Sequence, residues 1–284
     1  MAKKALLVGI NDYAPIGAGG PDLHGCVNDV NDMAHTLNAL GIVPAVPASM
    51  RILTDSRATR AAIIEGLKWL ITGAKKGDTL IFHYSGHGSQ VADVSGDEID
   101  GRDETICPHD FASKGMIKDD DLRSIFATLP AGANLDVFLD SCHSGTGTRD
   151  LAALSSAPSD QQVSYRYIEP PLDYGFFLDS DPRIPKRGIL KPKSGEKGVV
   201  IVAGLNHVLW AGCRDNQTSA ETVIGGVSRG VFTYCYCRAL RGAGVAITRN
   251  RLDALVCADI RRMGFVQVPQ LEGTPASMAE RVFT

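Results

Sequence analysis

Residues 79–84 and 135–139 are short, mainly apolar runs, interrupted only by His83 and Asp136 after the opening Thr79, and each leads straight into a small-residue turn. The first turn is Ser85-Gly86-His87-Gly88, the second Ser141-Cys142-His143-Ser144-Gly145. An apolar run of this length, bounded by turn signals, reads as a strand buried on both faces. Such strands belong to sheets covered by helices on either side, which restricts the chain to a layered α/β architecture. The flanking sequence keeps the same rhythm. Residues 5–10 form another apolar run, and Val27, Val30, Met33, Ala34, Leu37 and Leu40 then recur at helical spacing up to Gly41. Residues 51–53 read as a short strand. Ser56 or Thr59 can cap a helix whose apolar face is Ile63, Ile64, Leu67, Leu70 and Ile71.

Further helices are expected at 122–129, 231–240 and 249–263, and a further buried strand at 198–203. Strands alternating with helices imply right-handed crossovers and a mainly parallel sheet. The stretch 151–197 breaks the rhythm, with Pro158, Pro170, Pro171, Pro182, Pro185 and Pro192 among mixed charges and no helical stripe. It reads as a linker or insert on the surface. The chain thus divides into 1–150, 151–197 and 198–284, the outer two forming one domain.

A net charge of −3 provides no bulk field for nucleic acid. No stretch approaches the roughly 18 apolar residues that span a bilayer, so no membrane association is expected. The amino-terminal run is broken by Asn11 and Asp12 and reads as a first strand, not a signal peptide. The seven cysteines are scattered, without metal-type spacing. That pattern suits free thiols in a reducing, cytoplasmic setting. Cys235 and Cys237 read as core packing, and the sequence does not decide whether His207 and Trp210 border a groove.

The chemistry lies at the two strand ends. Sites of open α/β sheets form outside the carboxyl ends of the strands. Here one end delivers an imidazole, His87, and the other a thiol, Cys142. A thiol is a weak nucleophile until a base or a positive field makes it a thiolate. A lone buried His or Cys is usually packing. Two of them in glycine-flanked turns point to a cysteine–histidine hydrolase. The N–H groups of Gly88 and Cys142 could serve a developing oxyanion. His143, the neighbour of the thiol, ranks below His87 as a base.

The stretches His83-Tyr84-Ser85-Gly86-His87-Gly88 and Asp140-Ser141-Cys142-His143-Ser144-Gly145 closely resemble the metacaspases, of the caspase-like cysteine peptidase clan. The histidine also precedes the cysteine at roughly the caspase-type interval of about 50 residues. Residues 23–30, 100–110, 117–122, 212–220, 230–234 and 269–273 resemble further motifs of the family. The resemblance therefore covers about 4–150 and 198–275. It implies a caspase-like three-layer sandwich with a mainly parallel central sheet and helices on both faces. It implies Cys142 as nucleophile, His87 as general acid–base, and Cys26, Asp29, Ser85 and Asp140 around the residue before the scissile bond. With Asp29 and Asp140 supplying negative charge, cleavage after Arg or Lys is expected, since carboxylates recognise guanidinium or ammonium by charge-assisted hydrogen bonds.

The acidic residues Asp93, Asp97, Glu98, Asp100, Asp103, Glu104 and Asp119 to Asp121 could be an ordinary solvated loop. The resemblance implies instead a Ca²⁺ site of Asp103, Asp119, Asp120 and Asp150, with ion binding ordering the loops. The basic residues of the insert, Arg166, Arg183, Lys186, Arg187, Lys191, Lys193 and Lys197, invite self-cleavage, as does Arg149. The family's Pro-rich or zinc-finger-like amino-terminal region is not seen, leaving regulation to calcium, cleavage or a partner. The chain is expected to act as a monomer on protein or peptide substrates with basic residues. The rival reading is a catalytically silent caspase-like binding module.

Overall fold

The computed structural model describes residues 1–14, 22–92, 102–142, 163–168, 206–214 and 217–284. In chain order the strands are β1 (Lys3–Gly9), β2 (Met50–Thr54), β3 (Thr79–Ser85), β4 (Gly88–Ala92), β5 (Arg102–Ile106), β6 (Ile117–Lys118), β7 (Asn134–Asp140), β8 (Ser164–Tyr165), β9 (Asn206–Ala211), β10 (Ala220–Ile224), β11 (Val227–Gly230) and β12 (Gln270–Glu272). The helices are α1 (Cys26–Ala39), α2 (Arg60–Ile71), α3 (Phe111–Lys114), α4 (Asp119–Phe126), α5 (Val231–Ala243), α6 (Arg249–Arg262) and α7 (Pro275–Ala279).

Six strands form the central sheet, in the order β12-β9-β7-β3-β1-β2. All neighbours run parallel except the edge pair β12–β9. Successive side chains of a strand point to opposite faces, and the sequence uses both. Leu6, Val8, Phe82, Tyr84, Val137 and Leu139 join one apolar cluster with Ile63 and Leu67 of α2 and Leu122 and Phe126 of α4. Ala5, Leu7, Ile81 and Phe138 join the other with Met33 of α1, Phe232 of α5 and Leu252 of α6. Burial on both faces is why these strands read as mainly apolar runs without a polar face. The result is the expected three-layer arrangement.

Local signals set several boundaries. The Thr59 hydroxyl accepts from the Ala62 N–H at 3.2 Å and starts α2, so Thr59 is the cap and Ser56 is not. Helix α4 starts earlier than its apolar stripe, because Asp119, Asp120 and Asp121 fill its first turn, where the helix dipole favours carboxylates. Trp210 stacks on Phe138 with ring centroids 6.0 Å apart, deep in the second cluster. It therefore does not border a groove. Cys235 and Cys237 lie in the same cluster, as core packing requires. The strand expected at 198–203 lies outside the described residues, and β9 is the strand beside β7. No helix among the described residues is long and apolar enough to cross a membrane.

Among the described residues there are also two small antiparallel sheets, β4-β5-β6 and β11-β10-β8. Strands β3 and β7 pair in parallel register from Thr79↔Asn134 to Ser85↔Asp140. Ser85 and Asp140, far apart in sequence, thus end side by side, and each chain leaves the sheet there.

Candidate active site

The turn after β3 is clamped by two tyrosines. The His87 N–H donates to Tyr13 Oη at 2.7 Å, and Tyr84 Oη lies 2.6 Å from the His87 carbonyl. The Tyr13 ring sits 4.9 Å from the imidazole, centroid to centroid. Gly86 has no room for a side chain, since a Cβ would stand 2.6 Å from Tyr84 Oη and 2.7 Å from Tyr13 Oη. A Cβ on Gly88 would overlap the Cys142 carbonyl. The imidazole-bearing turn and the backbone of Cys142 therefore meet directly, which only glycine permits at this approach.

Between them runs a segment from the insert. Of 151–197 only residues 163–168 are described, and they cross the site in extended form. Tyr165 pairs with Ala220 and Ser164 with Glu221, so β8 adds to β10 as an antiparallel strand. The Arg166 carbonyl accepts from the Gly88 N–H at 2.9 Å and from the Cys142 N–H at 3.1 Å. Two N–H groups aimed at one carbonyl oxygen can stabilise the negative charge that nucleophilic attack would place there. The Cys142 Sγ accepts from the Ser219 N–H at 2.7 Å. Cys142 and His87 are both fully buried with the segment in place.

The Arg166 side chain fills an acidic pocket. Its Nη2 lies 2.7 Å from Asp29 Oδ2 and 3.4 Å from Glu221 Oε2. Its Nη1 lies 3.0 Å from Asp140 Oδ1, and donates to Ser85 Oγ at 2.9 Å and the Asp140 carbonyl at 3.1 Å. Each carboxylate is held in turn. Asp29 accepts from the Gly230 N–H at 2.8 Å and the Ser85 hydroxyl at 2.8 Å. Asp140 accepts from the Ser219 hydroxyl at 2.5 Å and the Thr233 hydroxyl at 2.7 Å. Glu221 accepts from the N–H groups of His24 at 2.8 Å and Gly25 at 3.1 Å. Burial pushes the Asp29 carboxyl up to about 6; Arg166 opposes the rise and Asp140 adds to it. Burial disfavours the Arg166 charge, but Asp140, Cys26, Asp29 and Glu221 together hold it far above its ordinary range.

The expected pocket residues Asp29, Ser85 and Asp140 are thus brought together on one guanidinium. Cys26 borders them, its Sγ 4.0 Å from Glu221 Oε2, and burial pushes its thiol up despite the charge of Arg166. Asp29 lies in the first turn of α1, but its carboxylate faces the pocket instead of capping the helix. Sequence reasoning missed Glu221, Ser219, Thr233 and Gly230. A Cβ on Gly230 would lie 2.5 Å from Asp140 Oδ2 and 2.7 Å from each terminal nitrogen of Arg166. Ser219, Gly230 and Thr233 fall within 212–220 and 230–234, which resemble family motifs without assigning these residues a pocket role, and Glu221 falls outside them. His143 and Arg149 lie outside the described residues.

The acidic motif is arranged differently. Asp103 pairs with Lys118 at 2.7 Å, while Arg123 meets Asp119 at 3.1 Å and Asp120 at 2.6 Å. Asp119 Oδ1 is buried with no hydrogen-bond partner. Burial raises the Asp119 carboxyl to about 8, against Arg123, with Asp120 and Asp103 adding to the rise. Hard carboxylate oxygens crowded to this degree fit Ca²⁺ chemically. Among the described residues, however, no group of three or more His, Cys, Asp or Glu is assembled around a metal position. Asp150 lies outside the described residues.

Residues 3–151 match the family model of the metacaspase, peptidase C14 domain. The chain is 34% identical over 260 residues to Metacaspase-1 of Ajellomyces capsulatus, spanning 84% of this chain and 71% of that relative. It is 32% identical over 289 residues to Metacaspase-1 of Pyricularia oryzae, spanning 95% and 71%. Among solved structures it is similar to protein GSU0716 from Geobacter sulfurreducens, with a TM-score of 0.70 and 29% identity, covering 100% of this chain and 99% of the other.

Proposed function

The chain belongs to the metacaspase family and is a cysteine-type peptidase, and from this premise we propose a calcium-activated endopeptidase that cleaves after Arg or Lys through Cys142 and His87 and processes itself after Arg166. One observation carries the reading. Arg166 has its guanidinium among Asp29, Asp140 and Glu221 while its carbonyl oxygen meets the N–H groups of Gly88 and Cys142. A side chain read by carboxylates, with its own carbonyl between two backbone donors, is the posture of a residue about to be cut on its carboxyl side.

The proposed chemistry is acyl transfer. The Cys142 thiolate attacks the carbonyl carbon, and the oxygen takes the negative charge between Gly88 and Cys142. A donor so placed contributes about 10²- to 10³-fold. His87 holds the proton taken from the thiol and gives it to the leaving amine as the C–N bond breaks. Water then attacks the thioester, His87 accepts its proton, and the Arg carboxylate leaves with the thiol restored. Asp29 and Asp140 select a cation, and the fork of Arg can meet both at once. In the intact chain the scissile bond so defined is Arg166–Tyr167.

Calcium enters by the same proposal. Asp103, Asp119 and Asp120 would hold it, with Asp150, in competition with Lys118 and Arg123. The ion would neutralise crowded carboxylates and order the surrounding loops. Cytoplasmic residence, supported by the scattered cysteine spacing, and monomeric action complete the reading.

The experiment pairs the full chain with its Cys142→Ala variant on fluorogenic peptides ending in Arg, Lys or Asp, with millimolar-range Ca²⁺ or chelator. Release from Arg or Lys peptides that needs Cys142 and Ca²⁺ is expected, with mass spectrometry finding a new terminus at Arg166. Activity in chelator would remove the metal switch alone. Silence on every peptide and no self-cleavage, from a folded protein, would favour the binding-module reading.

A further inference from the structure

Recognition continues past the bond. After Arg166 the chain runs along the start of β4, with Tyr167 bridged in parallel to Gly88. Both backbone polar groups of Ile168 are held there. Its N–H donates to the Gly88 carbonyl at 3.0 Å, and its carbonyl accepts from Ser89 Oγ at 2.7 Å. The Ile168 side chain is only 7% exposed and joins the apolar cluster beneath the sheet that includes Tyr13, Val91, Ile106 and Leu139.

This grip is built into the scaffold. Ser89 is fully buried, and its backbone is fixed by pairing with Thr105 of β5. The Thr105 hydroxyl also donates to the Ser89 carbonyl at 3.1 Å. The Ser89 hydroxyl is therefore a preset donor two residues beyond the reacting carbonyl, beside an apolar recess. Gly88 serves both sides of the bond, its N–H on the Arg166 carbonyl and its carbonyl on the Ile168 N–H. Main-chain pairing at a strand supplies general affinity and the side-chain recess supplies selectivity, as in other cases of strand addition.

We infer that β4 forms a second specificity site, which selects protein substrates carrying a branched aliphatic residue at the second position after the cleaved bond. The inference rests on the proposed cleavage after Arg. It predicts that substrates ending directly after Arg, as coumarin amides do, forgo part of the enzyme's specificity. Burying one aliphatic side chain and satisfying one carbonyl corresponds to about 10- to 100-fold in kcat/KM.

The test uses the full chain after incubation with Ca²⁺ and peptides of its own sequence 161–171. The residue matching Ile168 is kept, replaced by Leu, or replaced by Gly or Asp. Cleavage after Arg in all four, with Ile and Leu about 10- to 100-fold above Gly and Asp, is expected. Ser89→Ala should lower kcat/KM on the Ile peptide by a larger factor than on Arg-coumarin, which has no second residue to hold, and equal factors on the two substrates would overturn the inference. Equal rates on the Ile and Gly peptides, both cut after Arg, would overturn the inference and leave the protease reading standing. The same comparison is made within the chain. Ile168→Gly should slow the appearance of the Arg166 terminus, and an unchanged rate would also overturn the inference. No cleavage after Arg in any peptide or in the chain would overturn both readings.

Discussion

Replacing Arg166 by Ala should convert a closed site into an open one. In the native chain the guanidinium meets Asp29, Asp140, Glu221 and Ser85 and the Asp140 carbonyl, all with negligible exposure. Removing one partner of such a buried ionic set costs about 3–5 kcal/mol, because the remaining charges stay buried without compensation. The cheapest relief is for residues 163–168 to leave the cleft and let water reach the carboxylates. At about 1.4 kcal/mol per factor of ten, the open form should gain about 100- to several-thousand-fold over the closed one. Arg166→Lys should fall between, since ammonium keeps the charge but not the fork. The readout is alkylation of Cys142 by iodoacetamide in chelator, located by peptide mass mapping. The other six cysteines are buried and in no disulfide and serve as internal controls. Equal Cys142 labelling in wild type and Arg166→Ala would refute the view that this segment seals the thiol.

Two further outcomes follow from the packing. Gly230 has ordinary backbone angles, φ −66° and ψ 130°, so Gly230→Ala should fold. Its methyl would occupy the space of the guanidinium, and overpacking of about 1–3 kcal/mol should raise KM for Arg peptides roughly 5- to 150-fold in steady-state assays. His83 on β3 is buried with Nε2 3.3 Å from Thr233 Oγ1, and burial pushes its pKa from 6.5 down to about 4, with Asp140 opposing. A histidine depressed in the folded state favours folding above about pH 6.5, and that contribution is lost as the pH falls toward 4. Urea unfolding should show up to about 3 kcal/mol of such acid-side loss from this residue, and His83→Phe should flatten that part of the profile.

The sheet and the placing of His87 and Cys142 just past two of its strands were readable because one cause fixes both pattern and place. Residues 79–84 and 135–139 are mainly apolar since β3 and β7 are covered on both faces, with His83 and Asp136 the buried polar exceptions inside the runs, and their ends bring Ser85 and Asp140 together by register. The remaining pocket wall was not readable. Ser219 and Gly230 lie in stretches that resemble the family without assigning them a pocket role, and with Glu221 they gain it only because the hairpin of β10 and β11 docks against α1 and the ends of β3 and β7. Arg166 was visible only as one basic residue among several in a proline-broken stretch. What distinguishes it is the strand pairing of Ser164 and Tyr165 with β10, which local sequence does not encode. Helix α4 began before its apolar stripe because carboxylates, and not apolar residues, fill its first turn.

Strand β7 lies before Arg166 in the chain and β9 after it, yet the two pair along six residues, from Asn134↔Asn206 to Leu139↔Ala211. The two stretches are neighbours in the middle of one sheet. A break after residue 166 would therefore release two chain ends and not two bodies. The new termini could swing clear while the core that holds both turns kept every rung of its ladder, so opening the gate would leave the building standing.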